Sequence, residues 1–267
     1  MKPFAFVFPG QGSQSVGMLD AWGDHPAVAA TLAEASEAAG LDVARLIKEG
    51  PEATLALTVN TQLVMLVAGV ANYRAWLAEG GPEPAVVAGH SLGEYSALVA
   101  AGALTLQGAV PLVRFRAQAM QDAVPVGSGA MMAILGLDGA DVARACEQAA
   151  RDSGEVVSAA NFNDPKQTVI AGSVAGVDMA VTLLKAMGAK RAMPLAVSAP
   201  FHCALMKPAA ERLRERLAGT PVAAPRTRAC RCAPGADYLT TLARMSLSRR
   251  ILTSSPLISM SEPPYLA

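Results

Sequence analysis

The sequence predicts an α/β protein in which helices cover a parallel sheet and a βαββαβ unit is inserted. Three observations carry this expectation. Short apolar runs, FAFVF at 4–8 and PAVVAG at 84–89, alternate with Ala-rich helical stretches over the first half of the chain. From about Gly129 the pattern changes to short strands interleaved with two helices. A length of 267 residues with 52% hydrophobic content suffices for a large core and a smaller subdomain.

FAFVF reads as a strand ending in the loop PGQGSQ, and helical segments follow around 27–39 and 42–49. A longer helix begins where Thr58 to Thr61 offer capping groups, continues through QLVMLVAGVANYRAWLAE, and is stopped by Gly80-Gly81-Pro82. PAVVAG and the helix after Ser91 complete the first half. In the insert, AMMAIL, EVVSAANF, QTVIAG and AKRAMPLA read as strands, with ADVARACEQAARDS and VDMAVTLLKAMG as helices. Length and order predict a ferredoxin-like subdomain over residues 129–196, with the larger unit formed by 1–128 and 197–222. Residues 223–267 read as an atypical, disordered tail: residues 221–267 hold six of the 18 prolines, and six arginines against Asp237 and Glu262, without a strand or helix period. Within it, TLARMSLSRRI at 241–251 is the only candidate helix.

Charge excludes some function classes. Lys and Arg number 22 against 22 acids and aromatics make up 4%, so nucleic-acid binding has no electrostatic support. The apolar run before Pro9 is too short for a signal sequence, and no stretch approaches a membrane span, so a cytoplasmic protein without membrane association is expected. Cys146, Cys203, Cys230 and Cys232 lack metal-site spacing and read as free thiols, and only three histidines are present.

The segment PAVVAGHSLG places Ser91 between a strand and a helix, where a sharp bend presents a nucleophilic hydroxyl. Gly89 and Gly93 are expected to permit that bend and a close helix–strand approach. A serine needs a base, and histidine suits neutral pH. His90 adjoins Ser91, where successive side chains diverge, and His25 reads as a surface-turn residue before a helix, which leaves His202 in VSAPFHCALM. An orienting acid would come from Asp122, Asp138, Asp141, Asp152, Asp164 or Asp178. If these are remote, a neutral partner such as a backbone carbonyl must hold the other ring nitrogen.

FVFPGQGSQSVGM, GHSLGEYSALVAAGAL, RAQAMQDAVPVGSGAM, NFNDPKQTVIAG and SAPFHCALMKPA resemble, in order, the malonyl-CoA:acyl carrier protein transacylase family over residues 1 to about 222. The resemblance implies an α/β fold with a hydrolase-like parallel sheet core and an inserted ferredoxin-like βαββαβ subdomain. It implies that Ser91 takes a malonyl group from malonyl-CoA and passes it to the phosphopantetheine thiol of acyl carrier protein, in fatty acid biosynthesis, with His202 as general base and acid. The backbone N–H groups of Gln11 and Leu92 would form the oxyanion hole. Arg116 would clamp the malonyl carboxylate, a task suited to a planar guanidinium, with Arg114 as its decoy. Gln62 and Gln167, with Asn161 and Asn163, would line the cleft, and the bulk of Phe201 would crowd a branched acyl group. No metal or cofactor is implied, malonyl-CoA being a substrate, and a monomer is expected.

After Val222 the family's asparagine-rich strand, its following helix and the segment whose carbonyl orients the histidine are not recognisable. This predicts a truncated or frame-shifted C-terminus and reduced activity. Two other readings use the same motifs: a serine esterase or thioesterase with water as acceptor, and an impaired remnant that only binds a carrier protein.

Overall fold

In a computed structural model, residues 3–231 are described, and they form two sheets. The first has the order β1-β2-β7: β1 (Ala5–Phe8) and β7 (Arg228–Arg231) flank β2 (Val86–Gly89), all parallel. Its helical cover comes from α1 (Pro26–Ala39), α2 (Val43–Glu49), the short α3 (Glu52–Leu55), α4 (Thr58–Ala78), α5 (Gly93–Ala100), α6 (Leu106–Asp122) and α9 (Lys207–Ala218).

Two of these helices start where a short polar side chain satisfies an exposed N–H group. Asp42 accepts from Arg45 N ahead of α2, and Thr105 accepts from Gly108 N ahead of α6. Helix α4 is the central element. Residues Leu63 to Ala68 are all buried, so it is apolar around its whole circumference and lies between neighbours rather than on the surface. Phe6 and Phe8 alternate inward from β1 and meet Tyr73 of α4, with ring centroids 5.3 and 6.2 Å apart.

The second sheet has the order β4-β5-β3-β6: β4 (Val157–Asp164), β5 (Gln167–Ser173), β3 (Gly129–Leu135) and β6 (Arg191–Pro194), every pair antiparallel. Helices α7 (Gly139–Ser153) and α8 (Val174–Ala186) connect its strands. Buried Val142, Ala145, Cys146 and Ala149 recur at helical spacing on α7 and meet Ile134 and Ile170 on one sheet face. The alternate residues Met131, Ala133, Val169 and Ala171 face the other way. They pack against Ala119 and Met120 of α6 and against Phe201 and Met206. The period of two thus joins the second sheet to the element that carries Arg116.

The chain departs from the sequence expectation in two places. A short helix, α3, and the long α6 add to the expected order. Residues 223–231 also leave the assigned tail: Ala223 N donates to Ala103 O at 2.9 Å, Arg226 N to Ala101 O at 2.7 Å, and the chain then enters β7 beside β2. RACR has no apolar run or alternation, so its strand conformation comes from pairing with β2 rather than from local preference. The candidate helix at 241–251, Cys232 and the rest of the assigned tail lie outside the described residues. Among the described residues no helix is long and apolar enough to cross a membrane.

Leu66 is fully buried at the centre of α4. Leu66→Ala is expected to destabilise the fold by about 3 kcal/mol. The denaturant midpoint measures this, and an unchanged midpoint would show that α4 is not the centre of the core.

Candidate active site

Between β2 and α5 the backbone turns at Ser91 itself, whose φ is +51°, the left-handed region that costs a non-glycine residue about 1–2 kcal/mol. The sequence expectation gave Gly89 and Gly93 both the bend and the close helix–strand approach; the bend falls to Ser91, and the close approach is as expected. A Cβ at Gly89 would lie 2.0 Å from the Gly93 carbonyl, and one at Gly93 would lie 2.2 Å from Phe8 O. A Cβ on Gly10 would likewise meet His90 O at 2.7 Å, so the PGQGSQ loop is seated directly on the bend. Ser91 is left half-buried, with an open side.

His202 comes from the segment between β6 and α9, and it too has a positive φ, +62°. Its Nε2 lies 2.9 Å from Ser91 Oγ, across 111 positions of sequence. Burial, then the charges of Arg116 and His90, push the His202 imidazole down to about 3, so at neutral pH the ring is neutral. With Nε2 as acceptor the Ser91 hydroxyl donates to it, and the ring proton resides on Nδ1. Burial also lowers His90, opposed by a hydrogen bond with Asn163.

The candidate orienting aspartates are engaged or exposed elsewhere. Asp122 bonds Arg212 at 3.0 Å, Asp138 Lys166 at 2.9 Å, and Asp152 Gln148 at 2.6 Å. Asp141 pairs with Arg144, Asp164 accepts from Lys166 N at 3.0 Å, and Asp178 is exposed on α8. A carbonyl-bearing segment is not recognisable after Val222, and residues 232–267 lie outside the described residues.

Arg116, on α6, is 2% exposed. Its Nη2 donates to Ser91 Oγ at 3.1 Å, its Nη1 donates to Gln62 Oε1, and its guanidinium carbon sits 5.6 Å from the centre of the Tyr95 ring. Gln62 is buried on α4, and its amide nitrogen faces Met120 Sδ at 3.7 Å. Arg114 is exposed and donates to Ala39 O at the end of α1, an ordinary capping role. Gln167 opens β5 opposite Leu135 and Asp164 and is half-buried. No hydrogen bond among the described residues joins it to Ser91, His202 or Arg116. Asn161 is buried on β4, and Phe201 is packed in the apolar cluster with Met120.

The sequence marked Thr58 only as a capping group and passed over Ser198, but α4 begins at Thr58 after Leu57 with no side-chain cap. The Thr58 hydroxyl receives Gln11 Nε2 at 3.3 Å and lies 2.9 Å from Ser198 Oγ, tying the PGQGSQ loop to α4 and to the strand-to-His202 segment. Isolated Thr and Ser carry no motif, so only their juxtaposition reveals them. Among the described residues no group of three His, Cys, Asp or Glu side chains could hold a metal ion, and Cys146 and Cys203 are free.

The profile of the acyl transferase domain family matches residues 5–241. The malonyl CoA-acyl carrier protein transacylase of Escherichia coli K12 is 56% identical over 226 residues, which cover 84% of this chain and 72% of that protein. This chain is a member of the malonyl CoA-acyl carrier protein transacylase family. A solved acyl-carrier-protein S-malonyltransferase from Burkholderia pseudomallei superposes with a TM-score of 0.84 at 55% identity, covering 90% of this chain and 79% of that one. A malonyl-transacylase solved in complex with its type II polyketide acyl-carrier protein superposes at 0.85 and 47% identity, covering 91% and 79%. The match to the Escherichia coli transacylase spans 226 residues, in keeping with the expected limit near 222, while the broader acyl transferase profile runs on to residue 241.

The arrangement joins a serine hydroxyl, a neutral imidazole and a buried cation in one hydrogen-bonded group. Adding a methyl at Gly93 would push on the Phe8 and Pro9 carbonyls and displace the loop that carries Gln11. Gly93→Ala is expected to lower the rate of serine acylation on the order of 10²-fold, as a misplacement near 1 Å does. Single-turnover acylation measures this, and an undiminished rate would show that the loop's seat does not matter.

Proposed function

We propose that this chain carries a malonyl group from malonyl-CoA, through an ester on Ser91, to the phosphopantetheine thiol of acyl carrier protein. The observation that supports this best is Ser91 Oγ lying 2.9 Å from a neutral imidazole and 3.1 Å from a buried guanidinium. The names of the relatives agree with it over an esterase reading.

Ser91 Oγ attacks the thioester carbonyl carbon while its proton passes to His202 Nε2. The backbone N–H groups of Gln11 and Leu92 receive the oxyanion. Leu92 follows the nucleophile at the start of α5, and the Gln11 loop is seated on the same bend. Collapse breaks the C–S bond, and the imidazolium returns the proton to the departing sulfur of coenzyme A. The carrier thiol then gives its proton to His202 and attacks the ester carbonyl, and Ser91 Oγ leaves and is reprotonated. Arg116, held by Gln62, binds the free carboxylate through two hydrogen bonds, which selects a half-acid over a plain acyl group. Gln167 lines the cleft without touching the reacting atoms.

The same reading assigns residues 129–196 to a ferredoxin-like insert, whose strand order and antiparallel pairing fit that fold, and the first sheet to a hydrolase-like core. It places the protein in the cytoplasm as a monomer serving fatty acid biosynthesis, with acyl carrier protein as partner, as in the related complex.

Incubation with malonyl-CoA is expected to add a malonyl mass to the intact chain but none to Ser91→Ala, and the lack of an adduct on the parent would refute transfer. Arg116→Ala is expected to erase the preference for malonyl-CoA over acetyl-CoA, whereas an esterase would not respond. Because the base must be neutral and its titration is pushed down from 6.5 to about 3, activity is retained as pH falls and is lost only on passing through that low value. The expected kcat/KM for acylation is therefore flat between about pH 5 and 7, and a halving near 6.5 would contradict the site's electrostatics.

A further inference from the structure

The serine hydroxyl has one proton and two lone pairs. In this structure His202 Nε2 takes the proton, at 2.9 Å, while Arg116 Nη2 donates to a lone pair, at 3.1 Å. An N–H of a cation donated to the hydroxyl oxygen draws electron density from it and makes it a weaker nucleophile toward a carbonyl carbon. The guanidinium that would clamp the substrate's carboxylate therefore rests on the nucleophile.

We propose that Arg116 is a latch on Ser91, released by the free carboxylate of the incoming acyl group. The inference rests on the transfer reading above and adds to it how the site responds to its substrate. Gln62 Oε1 holds Nη1, and the Tyr95 ring lies beside the guanidinium carbon, so the group pivots about a fixed point rather than leaving the site. A carboxylate is a stronger acceptor for an arginine N–H than a hydroxyl, because both partners of the bond are charged. Its arrival draws Nη2 off Oγ and restores the electron density of the hydroxyl oxygen for attack. Arg116 also weakens His202 as a base, and a carboxylate beside Arg116 offsets that effect, so nucleophile and base are strengthened together. Selection against acyl groups lacking a free acid is then exerted on the rate of serine acylation as well as on binding.

The proposal separates from a simple clamp in a reaction whose substrate carries no carboxylate. Acetyl-CoA acetylates Ser91, and intact mass measures the rate with sodium formate, with formamide as neutral isostere, and with sodium chloride at equal ionic strength. Formate, the smallest carboxylate, is expected to raise the rate saturably, on the order of tenfold, while formamide and chloride do not. Arg116→Gln, confirmed as folded by circular dichroism and thermal melting, is expected to be acetylated faster than the parent and to ignore formate. Equal acetylation of the two proteins, or a parent indifferent to formate, overturns the latch while malonyl loading of Ser91 keeps the transfer reading intact. If malonyl-CoA leaves no adduct on Ser91, the transfer reading falls and takes the latch with it.

Discussion

The contact between Ser91 Oγ and His202 Nε2 is the constraint around which this structure is arranged. Two residues 111 positions apart must meet at 2.9 Å, and both adopt a left-handed backbone that a non-glycine residue avoids when free to do so. Such conformations persist only where the surroundings over-determine them. Here β2 and α5 fix one residue, and the segment that follows β6 and packs against α6 fixes the other. The close approach at Gly89, Gly93 and Gly10 belongs to the same constraint, because the bend can be pressed against the first strand and its loop only where no Cβ intervenes.

Electrostatics follow from that placement. Burial first, then the buried guanidinium and the second imidazole near His202, hold its ring neutral at ordinary pH without an aspartate from this set of six. The same guanidinium is joined to the Ser91 hydroxyl and to an amide on the central helix, so one buried charge ties the two together. The second sheet contributes by packing: its apolar face meets Ala119 and Met120, one turn after Arg116 on α6.

Much of this was legible in the chain. Ser91 lies in a five-residue motif, His202 remains once the other two histidines are set aside, and amphipathic spacing marks the helices of the insert. Arg116 could be told from Arg114 only through the ordered family motifs, since both lie on one helix two residues apart; burial of one and exposure of the other then separates them. Strand β7 and the pair Thr58 and Ser198 escaped, because a four-residue RACR strand and two lone hydroxyls have no periodicity or spacing to announce them.

Local sequence by itself determined which chemistry was available: a serine on a strand-to-helix bend, one eligible imidazole, and the type of most elements. Tertiary structure alone decided which groups touch, that the bend is made by Ser91 rather than its glycines, and that Arg116 rests on the hydroxyl in the unloaded site. The physical reason is range. Secondary-structure preference acts over a few residues, whereas these contacts join positions 25 to 140 apart and exist only once a shared core has closed.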